Sequence, residues 1–174
     1  MGWGSTSCFN QLFAGLRRSS RPNMQICPSL GRFQKPSLVL SAIYFAASLG
    51  HFAHNAEFIC EYPKLPRWLT SAQVYGAWLA ITSVGAFGYI LLRKSFMSLG
   101  LAALAFYAAI GFDGLGHYAV APMEFHTLGA NITILSEVAA AALLLSATLL
   151  ALTLHLSGER KDQRVRDLPA NSTS

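Results

Sequence analysis

The chain has 174 residues, a formal net charge of +5, and 12% charged against 53% hydrophobic side chains, where a soluble globular domain carries about 25% charged residues. With a positive mean hydropathy, that balance excludes an ordinary soluble domain. The basic excess lacks the aromatic and glycine pattern of a nucleic-acid-binding module, and Cys8, Cys27 and Cys60 are too scattered for a disulfide framework or a zinc ribbon.

Residues 1–36 form a basic, acid-free tail containing Arg17, Arg18, Arg21, Arg32 and Lys35. Its Arg and Ser content matches a disordered tail or an organelle transit peptide, and Met24 is an alternative first residue. Residues 37–156 then read as a transmembrane domain with apolar segments at about 38–59, 74–92, 96–120 and 132–156, each near or above the ~20 residues that cross a ~30 Å hydrocarbon core as a helix. Pro36 stands at the entry of the first segment, and Pro63 and Pro66 in "CEYPKLPRW" end it. Thr70 or Ser71 caps the second. The third ends in "IGFDGLGHYAVAP", where Gly111, Gly114 and Gly116 predict close helix packing or an irregular backbone. The fourth follows "MEFHTLGANITILSEV" and becomes nearly pure Ala and Leu. Residues 157–174 read as a polar, disordered tail.

The fold class is therefore an all-α membrane protein, a four-transmembrane-helix bundle. Arg93 and Lys94 lie between the second and third segments, and Arg160, Lys161, Arg164 and Arg166 follow the fourth. Cations mark the side that stays inside, so both termini are expected inside, in a bacterial cytoplasmic membrane or an organelle inner membrane. Lys64 and Arg67, in a loop expected outside, are outnumbered.

Polar residues collect at the expected outer end. "LGHFAHNAEFICEY" places His51, His54, Glu57 and Glu61 on the first helix, Asp113 and His117 sit on the third, Glu124 and His126 in the following loop, and Asn131, Thr133 and Glu137 on the fourth. At about 100° per residue, the first group makes a stripe roughly 120° wide, while Asp113 and His117, and Thr133 and Glu137, are each about 40° apart. Four of the five histidines and five of the eight acids thus share one membrane face. A carboxylate at such depth costs at least ~2.5–3.5 kcal/mol and needs a partner, a cation or water.

Imidazoles and carboxylates together suit a transition metal, Zn, Fe or Cu. The expected ligands are His51, His54, Asp113 and His117, with His126 added from the loop, and the expected catalytic groups are Glu57 and Glu137 as second-sphere partners or general base. The function read from this is metal-assisted chemistry on a lipid or membrane-dissolved substrate. Four alternatives stand beside it: haem held by two histidines, a non-enzymatic metal-binding or structural subunit of a membrane complex or homo-oligomer, a metal-free acid–base isomerase, and a proton-coupled transporter. The bland reading is structural, since His, Asn and Thr side chains also hold membrane helices together. His155, alone at the other end, reads as interfacial.

Overall fold

The computed structural model describes residues 28–62 and 66–166, of which side chains are described from Pro36 onward. Residues 1–27 of the basic tail and 167–174 of the polar tail lie outside the described residues. The unit considered below runs from Phe33.

Every described element is helical. Helix α1 (Pro28–Glu57) runs through Pro36 and ends at the Phe58 N–H···O=C His54 bond of 2.9 Å. A short 3-10 turn, Ile59–Glu61, follows it. Helix α2 (Ser71–Arg93) opens on a capping box: the Gln73 N–H donates to Thr70 Oγ1 at 3.3 Å and the Thr70 N–H to Gln73 Oε1 at 2.8 Å. Helix α3 (Met97–Ile110) continues as a 3-10 segment, Gly111–Leu115, and a one-turn helix α4 (Gly116–Val120). After a 3-10 turn at Met123–Phe125, helix α5 (Leu128–Arg166) begins with the Ala130 N–H bonded to Thr127 Oγ1 at 3.2 Å.

Four stretches are long and apolar enough to cross a membrane: Pro36–Glu57, Ser71–Arg93, Met97–Val120 and Leu128–Lys161. Their outward surfaces carry large apolar side chains such as Phe87, Ile90, Leu99, Phe106, Leu143 and Leu150, which a bilayer solvates and water does not. Helix α5 carries on past its apolar part to Arg166, through a segment read from sequence as tail. Good helix formers and a His155–Glu159 contact of 3.5 Å one turn apart continue it.

Packing is uneven, and that unevenness makes the site. Helices α2 and α3 approach at backbone distance: a Cβ on Gly88 would stand 3.1 Å from the Leu104 nitrogen, and one on Gly100 2.9 Å from the Leu92 nitrogen. Helix α3 packs as closely on α5, and α1 meets the same core through long side chains. Tyr44 of α1 is one of these, buried with Leu104, Tyr107, Ala108, Ala141 and Leu144 in the apolar core. Its hydroxyl donates to the Tyr107 carbonyl at 3.3 Å and fits only because residue 111 is glycine, where a Cβ would come within 2.6 Å of it.

The glycines of "GFDGLG" thus serve both expectations placed on them. Gly111 admits Tyr44, and Gly114 faces the Glu137 carboxyl and the His51 ring, its Cβ position 3.6 and 3.8 Å from them. The backbone is also irregular there, tightening from α-helix to 3-10.

Candidate functional site

On α1, Tyr44, Ser48, His51 and Asn55 recur every three or four residues and form one stripe. His51 and Glu137 of α5 are each only 2% exposed, and His51 Nε2 stands 3.7 Å from Glu137 Oε2. Both lie inside apolar spans, where a lone charge is costly, so an acid and a base stand face to face out of water. The buried Ser48 hydroxyl faces the same carboxyl without closing a direct hydrogen bond.

Asn55 couples two imidazoles. Its Nδ2 lies 3.1 Å from His51 Nε2 and 3.4 Å from His117 Nε2, and the two rings meet edge to face at 5.4 Å. With the amide donating to both, each histidine carries its proton on Nδ1. His51 Nδ1 and Asn55 Oδ1 are then buried without a hydrogen-bond partner.

A cavity of about 80 Å³ opens beside these groups, lined in its depth by Tyr44, His51, Gly114 and Glu137 and toward its mouth by Phe52, Asn55, Ile81, Ile110, Asp113 and His117. It is roomy and polar enough for water, which needs only ~10–15 Å³ and two or more polar partners. It is far too small for a porphyrin. Among the described residues, no Lys or Arg lines it.

A second layer closes the end of the bundle. His54 Nδ1 and the Tyr62 hydroxyl are 2.9 Å apart, and His54 Nε2 fits against Gly129, where a Cβ would meet it at 2.8 Å. Tyr62 is buried, its ring 5.0 Å from His117 and 6.1 Å from His126. Burial pushes its phenol up to about 12, so it remains a neutral hydrogen-bonding lid at ordinary pH. His126 Nε2 points at the carbonyls of His117 and Ala121, at 3.3 and 3.2 Å.

Of the residues singled out from sequence, His51, Asp113, His117 and Glu137 line one cavity, with Asp113 exposed at its mouth. His54 and His126 belong to the layer above it. Glu57 is exposed and accepts a hydrogen bond from Tyr75 at 2.9 Å, because it lies about 120° around the helix from His51. As the side chains stand, the five expected metal ligands are divided among separate hydrogen-bonded arrangements, and no three His, Cys, Asp or Glu among the described residues group as a metal chelate.

Sequence reading passed over Asn55, Ser48, Tyr44 and Tyr62. The first three were legible as the continuation of the His51 stripe at helical spacing. Tyr62 lies beyond the helix end, where no periodicity applies. Comparisons of the chain with protein-family models, curated proteins and solved structures find no match.

Proposed function

We propose that this integral membrane protein performs acid–base proton transfer at the His51–Glu137 pair, assisted by His117 and Asp113. The observation that carries the reading is a carboxyl and an imidazole, both fully buried inside membrane spans and 3.7 Å apart, beside a cavity that exposes them to a small guest. One group takes a proton from one atom of the guest while another returns a proton to a different atom. The sum is an isomerisation that needs no metal, oxidant or other co-reactant. Conduction across the bilayer fits less well: the half of the bundle away from the site is packed largely with apolar side chains, Leu92, Leu101, Leu104, Leu144 and Ala151, and its buried Thr148 hydroxyl is tied to the Leu144 and Leu145 carbonyls.

Arg93, Lys94, Arg160 and Lys161 flank the opposite end of the bundle, which favours an outward-facing site in a bacterial cytoplasmic or organelle inner membrane.

The test is infrared difference spectroscopy of the reconstituted protein during a pH titration. The groups facing Glu137 are His51 from α1, Asp113 and His117 from the third span, and the phenols of Tyr44 and Tyr107. A carboxyl band and an imidazole band are expected to change together in one transition, and Glu137→Gln should remove both. Independent transitions, or a band that survives Glu137→Gln, would sink the reading. Stoichiometric Zn, Fe or Cu in the purified protein, lost in His51→Ala, would replace it with a metal centre.

A further inference from the structure

We infer that the guest is a membrane-dissolved amphiphile with a small, uncharged oxygen head, a ketone or alcohol on an apolar tail, which enters sideways from the bilayer between α1 and α2. This rests on the acid–base reading and names the substrate class of that same site.

The position of the mouth carries the first step. Phe52 of α1 and Ile81 of α2 both line the cavity and are both partly exposed. At 1.5 Å per residue, Phe52 lies about 8 Å in from Glu57, and Ile81 about 15 Å in from Ser71. The opening therefore faces acyl chains rather than water. A tail would lie in the seam between the contacts that join α1 to α2: near the site end Ser71 Oγ donates to the Ala56 carbonyl at 2.6 Å and Tyr75 to Glu57, and deeper the Phe45 and Trp78 rings meet at 5.3 Å.

The wall chemistry carries the second step. Two buried polar atoms of residues that line the cavity, His51 Nδ1 and Asn55 Oδ1, lack hydrogen-bond partners, and such groups are seldom left unsatisfied without a water or ligand. A ketone oxygen accepts from the first, and a hydroxyl serves both. Among the described residues, two carboxyl groups, Glu137 and Asp113, and no Lys or Arg face the cavity, so a phosphate or carboxylate head meets like charge without a counter-ion. About 80 Å³ also limits the head to a few heavy atoms, leaving the tail in the seam.

The test is photo-labelling of the reconstituted full-length chain with four probes of equal chain length, each with a diazirine in the tail: a long-chain methyl ketone, alcohol, amine and alkyl phosphate. Ketone and alcohol should label peptides containing Phe52 or Ile81 at least tenfold more than phosphate or amine, and Ile81→Trp should cut that labelling at least tenfold. Should Ile81→Trp fail to fold, Ile81→Ala widens the entry and should raise the labelling. Equal labelling by the phosphate, stronger labelling by the amine, no labelling of these peptides, or indifference to Ile81 would each overturn the proposal. Labelling as described without the joint carboxyl–imidazole transition would overturn the acid–base reading alone. The transition without the labelling would overturn only the ligand class.

Discussion

At the scale of single residues, the decisive pair is His51 and Glu137. Removing one partner leaves the other's buried polar group without a counterpart, at a cost of about 1–3 kcal/mol. His51→Leu and Glu137→Leu are each expected to lower stability by about that amount, while the double variant should recover more than about 1 kcal/mol of the summed loss. Reversible unfolding in mixed detergent–SDS micelles measures this, and strictly additive losses would show that the two groups do not interact. The sequence showed that both residues sit on inward faces. It did not show that they choose each other, because Asp113 and His117 offered equally good partners at the same depth.

At the scale of elements, the α2–α3 hairpin is fixed by glycine. Gly100→Ala sets a methyl group 2.9 Å from the Leu92 nitrogen and 2.8 Å from its side chain, so the helices must separate, at about 1–3 kcal/mol. Gly76 on the same α2 has nothing within 4 Å of its Cβ position, and Gly76→Ala is the control, expected to be neutral or slightly stabilising. The same unfolding assay compares them, and equal effects would show that close approach is not what Gly100 provides. Composition marked glycines as packing residues. Which glycine touches which helix depends on rotation about the helix axes, which a run of apolar residues on every side leaves open.

At the scale of the whole molecule, the bundle divides into a half that carries the buried histidines and Glu137 and a half packed largely with apolar side chains. With Cys8, Cys27 and Cys60 replaced by Ser, Glu124→Cys is expected to react with a membrane-impermeant maleimide from outside intact cells or vesicles, and Lys94→Cys only after permeabilisation. The reverse pattern would invert the topology and make the seam between α1 and α2 open into the inner leaflet.

The sequence alone determined that the chain is helical, that four stretches suffice to span a bilayer, and that titratable groups gather toward one end, because length, hydropathy and helical period are local properties. Tertiary structure decided the rest. The stripe on α1 runs through Tyr44, Ser48, His51 and Asn55 rather than out to Glu57, Asn55 stands between two imidazoles, and Tyr62 folds back over them. These outcomes turn on the angle at which α1 meets its neighbours and on where its last turn unwinds. Both are set by long side chains fitting over Gly111, Gly114 and Gly129, contacts between residues far apart in the chain that no local pattern encodes.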